Sequence, residues 1–279
     1  MHTYAQTNVQ LFNQLRSEGY SKNERQRVLT AYELAMRLFT GLFLPSGKPF
    51  IDHLVGTASI LASLHVSIEI VTAGLIHAAY LHGDFGGARK GISKAKQKQV
   101  RDAVGEEVEE YVARYDGLHW NPETMLRLHD ALDELGLVDR NVLLMRLANE
   151  LEHHLDIGVL YFPDEKQQRG DQRYIDRYGP MWIEMAEKLG FLSLASGMAA
   201  TFKNITSAEL PIEPCIRTKD HAAYRVVARS YRERFWVTCS RKVHRLLSKI
   251  LNIGRRLFGK LPEPMRDLLR TAFQLAGIK

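Results

Sequence analysis

His53 and His77 stand 24 residues apart, each inside an apolar run: Phe50-Ile51-Asp52-His53-Leu54-Val55 and Ala73-Gly74-Leu75-Ile76-His77-Ala78. Two imidazoles on neighbouring apolar helices are the start of a metal site, because neutral imidazole nitrogen is a good ligand for borderline divalent ions. Further donors follow. His82 and Asp84 come just after His77, beside Gly83, Gly86 and Gly87, on a loop that could carry them into a cleft. Asn149, Glu152 and Asp156 recur at i, i+3 and i+7 along one edge of an apolar stripe, with His153 beside them. Two or three imidazoles with one carboxylate would suit Fe²⁺, Zn²⁺ or Ni²⁺ better than Mg²⁺. In that arrangement His53 and His77 are the metal ligands, and His82, Asp84 or Glu152 completes the shell as a catalytic group. A metal-bound water would attack a phosphate ester, or dioxygen would bind if the metal were iron. The same residues also have a plainer reading. A histidine in an apolar helix can be a neutral core residue, His82 and Asp84 can be loop polar groups, and Glu152, His153 and Asp156 can form a solvated helix edge.

Helices must position these groups, and the chain supplies them nearly throughout. Ser21 with Glu24 makes a capping-box signal before Val28, Tyr32, Leu34, Ala35 and Leu38, which recur at helical spacing. Leu44-Pro45-Ser46-Gly47-Lys48-Pro49 breaks that helix, and Pro49 suits the first turn of the next. Gly56, Ala58, Ser59, Ala62 and Ser63 on that next helix would let another helix approach closely. Ser67 caps an expected helix over Ile68–Leu81 that is apolar on all sides, the mark of a buried one. A helix is expected over Val100–Tyr115, another opening at Asn121-Pro122-Glu123, and a strong one over Asp139–Leu160. Residues 163–173 read as a polar loop, and Ile175–Phe202 as one or two further helices. No alternation argues for a sheet.

Composition sets the class. Apolar residues make up 45% and charged residues 25% of 279, which matches an ordinary soluble protein with room for a substantial core. Cys215 and Cys239 form neither a disulfide framework nor a metal-ligand pattern, so a cytoplasmic location is expected. No apolar stretch approaches the ~18 residues of a membrane span, and the N-terminus lacks the pattern of a signal peptide. No glycine-rich phosphate loop or nucleophile elbow is present. The net charge of +6 hides an asymmetry: Arg217 to Lys279 hold 16 Lys and Arg against 4 Asp and Glu, a balance of +12. From Arg232 the apolar positions recur every three or four residues between cations, an amphipathic basic helix. Residues 232–260 could lie on an anionic membrane surface, meet an acidic partner or nucleic acid, or pack on the first domain or a twin subunit in a homo-oligomer.

The order of several motifs resembles the HD superfamily, and within it the hydrolase domain of RelA/SpoT-type guanosine tetraphosphate enzymes. The resemblance covers roughly residues 25–200. It runs through Ala31-Tyr32-Glu33-Leu34-Ala35, Ser46 to His53, Gly74-Leu75-Ile76-His77, Gly105-Glu106-Glu107-Val108 and Arg146-Leu147-Ala148-Asn149-Glu150-Leu151. An uncharacterised offshoot of the superfamily is similar over His53 to Ala58, Ala73 to Tyr80 and Phe85. The resemblance implies a divalent metal held by a histidine, a His-Asp pair and a later aspartate. His53 and His77 fall on those places, but Ala78 and Asn149 stand where the two aspartates should be, and Leu81 and His82 replace a following acidic pair. Loss of both anionic ligands removes most affinity for hard cations. Lys48 could still meet a ligand phosphate as a point charge, with Tyr80, Asn149 and His153 as further substrate contacts.

The expectation is therefore an all-α, HD-type helical bundle over residues 1–205 with a basic amphipathic helical extension over residues 206–279. Its expected role is to bind a divalent metal (Fe, Zn, Mn or Ni) and a phosphorylated small molecule or nucleotide, as a metal-dependent phosphohydrolase. Two rivals remain open: a non-catalytic interaction or regulatory module docking through its basic tail, and a metal-dependent oxygenase or lyase.

Overall fold

A computed structural model of the chain describes residues 4–86, 91–157 and 165–207, with residues 224–225 and 263. The chain divides into two compact units, Met1–Val226 and Val227–Lys279. The expectations for residues 232–260 lie outside the described residues.

The described residues of the first unit are helical apart from turns, loops and one two-residue ladder. Helix α1 spans Asn8–Ser17 and α2 spans Lys22–Phe39. At the start of α2 the Glu24 N–H donates to Ser21 Oγ (3.3 Å) and the Ser21 N–H donates to the Glu24 carboxylate (2.7 Å), the capping box read from the sequence. Strand β1 (Leu42–Phe43) leads through a turn to α3 (Phe50–Ser63) and α4 (Ile68–Ile76). Strand β2 (Tyr224–Arg225) pairs antiparallel with β1, Leu42 opposite Arg225. Sequence alternation could not reveal so short a ladder.

Helix α4 is the centre of the bundle. It touches α2, α3, α7 (Glu106–Gly117) and α9 (Leu137–Leu155), and every residue from Ile70 to Ile76 is buried. One glycine on each of α3 and α4 makes the close packing. A Cβ on Gly74 would meet Leu61 Cδ1 at 2.3 Å, and one on Gly56 would meet Glu152 Oε1 at 2.5 Å. On its other side α3 receives the N-terminus, with the Ala5 N–H donating to Ser59 Oγ at 2.8 Å.

Four expectations are corrected. The helix expected over Ile68–Leu81 stops at Ile76 and resumes as α5 (Ala79–His82), so His77 sits at a helix end rather than within one. The His77 Nδ1–H donates to the Gly74 carbonyl (2.7 Å), a side-chain bond that competes with the helical ladder at that point. The helix expected over Val100–Tyr115 is two, α6 (Lys94–Val104) and α7, parted by Gly105 at φ +92°. Helix α9 ends at Leu155, five residues short of the expected Leu160. Residues 165–173, read as loop, open α10 (Glu165–Lys188), whose buried positions Ile175, Tyr178, Trp182 and Met185 recur at helical spacing. Polarity misled there, because Glu, Lys, Gln and Arg are good helix formers. Helix α8 (Pro122–Asp130) opens as expected, with the Thr124 N–H donating to Asn121 Oδ1 at 2.9 Å. Helix α11 (Leu192–Ser207) packs on α10 and α9. Among the described residues no helix is long and apolar enough to cross a membrane.

The packing of α3 on α4 gives a direct test. Gly74→Ala should destabilise the protein by about 1–3 kcal/mol through overpacking. Gly117→Ala, with open space around its Cα, should be neutral or stabilising by up to ~1 kcal/mol. Urea denaturation midpoints compare the two, and equal effects would remove the argument from close approach.

Candidate functional site

Lys48 ends a tight turn. The Gly47 N–H donates to Leu44 O (2.9 Å), the Leu44 N–H donates to Lys48 O (2.8 Å), and Gly47 adopts φ +87°, which favours glycine. His53 follows on the first turns of α3 and Glu152 faces it from α9. The Glu152 carboxylate is shared: Oε2 meets His53 Nδ1, and Oε1 meets the Lys48 ammonium. Lys48 Nζ also reaches Asp156 Oδ2 at 2.6 Å. Glu152 has no exposed side-chain surface, Lys48 is 14% exposed and Asp156 is 56% exposed. The solvated-edge reading therefore fails for Glu152 and holds for Asp156.

Burial alone would raise the Glu152 carboxyl, but His53 and then Lys48 hold it below the usual glutamate value. It is ionised, so its contact with His53 requires a proton on Nδ1 of that ring. Burial would likewise lower the Lys48 ammonium, and Glu152 and Asp156 together keep it raised.

His77 is 4% exposed and its ring lies edge-on to His53, with centroids 5.4 Å apart. A carbonyl can only accept, so the bond to Gly74 O also fixes the His77 proton on Nδ1 and leaves Nε2 available. Burial, then the neighbouring His53, pushes the His77 pKa down to about 3. Its other face rests on Tyr115, centroids 4.8 Å apart. His153 approaches His53 with centroids 6.1 Å apart. Crowding by protein, then His154 and His53, pushes its pKa down to about 4. His153 itself is exposed to solvent, which screens part of that effect.

The remaining expected site residues scatter. Asn149 is buried on α9, one turn before Glu152. The His82 ring lies tilted against Phe50, centroids 5.3 Å apart, and Phe50 packs edge-on to His53. Asp84 is turned elsewhere: its N–H donates to Leu38 O (2.9 Å), and its Oδ1 accepts the Gly86 N–H (2.8 Å). It lines a groove of about 510 Å³ with Leu34, Arg37 and Gln99. Tyr80 is buried and donates its hydroxyl to Glu109 Oε1 on α7 at 2.8 Å. A second cavity of about 300 Å³, lined by Tyr4, Leu155 and residues of α11, also has neither His53 nor His77 in its lining.

Sequence reading missed a second ion pair on α9. Arg146 meets Glu150 one turn on and reaches Tyr115 Oη at 3.1 Å, and its guanidinium lies over Trp120 at 5.2 Å. The signal was an Arg-Glu pair at i, i+4 inside an apolar stripe, where charges need partners.

Imidazoles whose Nδ1–H is held by a carboxylate or a carbonyl, as those of His53 and His77 are, have the form of metal ligands. The shell is not completed. Among the described residues no three His, Cys, Asp or Glu side chains come together in a way that could hold one metal ion. Ala78 and Asn149 supply no carboxylate, and Glu152 is engaged by an imidazole and an ammonium. The residues present do not fit the divalent metal that the family resemblance implies.

Residues 41–119 match a family described as a domain of unknown function (DUF6817). Two curated relatives from Arabidopsis thaliana, both named probable GTP diphosphokinase RSH3, chloroplastic, are 23% identical over 247 and 239 residues. Each match covers 77% of this chain, and the chain spans only 32% of each relative's length. A solved structure of a metazoan ortholog of SpoT, described as hydrolysing ppGpp with a role in starvation responses, is 14% identical with a TM-score of 0.43, over 64% of this chain and 94% of that chain. The sequence matches carry the resemblance to RelA/SpoT-type proteins. The described residues form an all-α bundle apart from one short ladder.

The buried, neutral His77 has a pH consequence. Its folded pKa lies below the ordinary 6.5, so the unfolded chain binds its proton first as pH falls. The stability it contributes is complete above pH 6.5 and declines from there toward pH 3, by up to about 1.4 kcal/mol per pH unit. Urea midpoints measured from pH 7 to pH 5 should fall less steeply for His77→Gln than for the wild type. Parallel slopes would mean that His77 is accessible to protons in the folded state.

Proposed function

We propose that this chain is a divergent HD-type domain that binds a phosphorylated small molecule of the nucleotide class without hydrolysing it through a divalent metal. The observation behind this reading is the state of the carboxylates. The two positions where the resemblance calls for metal-holding aspartates are Ala78 and Asn149. Three carboxylates close by are engaged, Glu152 by His53 and Lys48, Asp156 by Lys48, and Glu150 by Arg146, while burial pushes the carboxyl of the neighbouring Asp52 above the usual aspartate range and so disfavours its anionic form. Mg²⁺ and Mn²⁺ need carboxylate oxygens, and zinc-like ions need at least three converging donors.

The groups left to meet a ligand are mainly imidazoles and an amide. The Nε2 edges of His53 and His77, the Asn149 amide and the exposed side of His153 offer hydrogen bonds of the kind a base or a ribose takes. For phosphate the candidate is Lys48. An ammonium has three donors, and two of them lie on Glu152 and Asp156. The contact to Asp156 is solvent-exposed and therefore weak, so a phosphate oxygen can compete for it. Support for a nucleotide ligand comes from the relatives, whose names identify them as acting on GTP.

Calorimetric titration with GTP and with guanosine tetraphosphate should give the same affinity, within about twofold, in EDTA and in Mn²⁺, with no phosphate release. The double variant Ala78→Asp/Asn149→Asp restores both carboxylates and should bind Mn²⁺ where the wild type does not, read by the loss of the free Mn²⁺ resonance signal. Near-stoichiometric metal in the purified wild type, or Mn²⁺-dependent phosphate release by it, would sink the proposal.

A further inference from the structure

Helix α11 has two unlike faces. Leu194, Ala195, Met198, Phe202 and Ile205 are buried, and the helix packs on α10 and α9. Along the other side Ser193, Ser196, Gly197, Ala200, Thr201 and Asn204 recur at i, i+3, i+4, i+7, i+8 and i+11. That side lines the cavity of about 300 Å³, with Leu155 and Ile157 facing it from the end of α9 and the turn beyond.

The polar groups of this face are unpaired. A Ser or Thr hydroxyl inside a helix can donate to a carbonyl one turn back. On this helix Thr206 and Ser207 do so, to Phe202 O (3.1 Å) and Lys203 O (2.9 Å). Thr201 does not. It is 8% exposed, lines the cavity, and its hydroxyl has no hydrogen-bond partner among the described residues. A nearly buried hydroxyl is unfavourable until something in the cavity bonds it. Ser193, Ser196 and Asn204, exposed along the same side, also keep their side-chain donors and acceptors unpaired among the described residues.

The lining sets the class of ligand. Among the described residues it includes no charged side chain, so an ionised ligand would leave water without gaining a counter-charge. A hydroxyl both donates and accepts, and so does an amide, which matches the adjacent hydroxyls of a sugar. Leu155, Ile157 and Ala200 suit the C–H face of such a ring. A volume of about 300 Å³ lies at the small end of ligand sites, ~300–1,000 Å³, and suits one ring rather than a whole nucleotide. We infer that this cavity is a second binding site, for a neutral, hydroxyl-rich ring the size of one sugar, whether a free monosaccharide or the ribose of a nucleoside. Lys48, His53 and His77 do not line it, so the inference is independent of the nucleotide reading above.

Titration of the full chain with ribose, glucose and guanosine, followed by calorimetry and ligand-observed NMR, tests this. At least one of the three should bind saturably. Thr201→Val keeps the shape, removes the hydroxyl, and should weaken that binding about tenfold. Its melting temperature should not fall, because no internal hydrogen bond is lost; a marked fall would place the hydroxyl in the fold and overturn the inference. Ala200→Leu fills the cavity from an exposed position and should abolish binding. Thr206→Val, whose hydroxyl is turned to its own helix, should bind as the wild type. Binding of ribose or glucose identifies a free sugar as the source, and binding of guanosine alone identifies a nucleoside. No binding by any of the three overturns the inference. Guanosine binding that survives both Thr201→Val and Ala200→Leu belongs to the His53 site, so the nucleotide reading then stands while this one falls.

Discussion

A carboxylate with no exposed surface has to be paired, and in this protein that group is Glu152. Removing one partner of such a buried pair costs about 3–5 kcal/mol, because the other charge is left in a poor solvent. Glu152 meets the requirement with two partners from one segment, Lys48 on the turn before α3 and His53 within α3. The contact demands that α3 and α9 come close, and Gly56 is what permits it, since a methyl group there would overlap the carboxylate. The entry to α3, the spacing of α3 from α9 and the orientation of His53 are thereby linked through a single side chain.

The same helix carries a second buried pair one turn earlier. Glu150 holds Arg146, and Arg146 reaches Tyr115 on α7. Helix α9 is therefore tied by charge toward α3 on one side and α7 on the other. His77 lies against both neighbourhoods, ring to ring with His53 and with Tyr115, and burial keeps it uncharged. The result is an imidazole pair flanked by two buried ion pairs. Such a site presents hydrogen-bond donors and acceptors of defined orientation.

Much of the fold was legible because it follows from local chemistry. Ser21 and Glu24 mark the start of α2, Asn121 and Pro122 the start of α8, and the unbroken apolar face of Ile68–Ile76 its place at the centre of the bundle. The failures have local causes too. The break after Ile76 comes with a side-chain bond from His77 to its own helix, which periodicity does not register. The division at Gly105 depends on a positive φ that glycine allows but does not require. In the site, His53 and His77 were recognisable as a pair, whereas Tyr80 and Asp84, equally near in sequence, are drawn to Glu109 and to Leu38.

The sequence by itself determined the helical class, the residue types available for chemistry and the absence of acids at positions 78 and 149, since all of these reside in side-chain identity and short-range spacing. Only the tertiary structure decided which charges meet. Lys48 and Glu152 are 104 residues apart, and no local pattern reports that an ammonium and an imidazole will divide one carboxylate between them. That outcome depends on how closely two helices pack, and the separation is set by the whole core rather than by either segment.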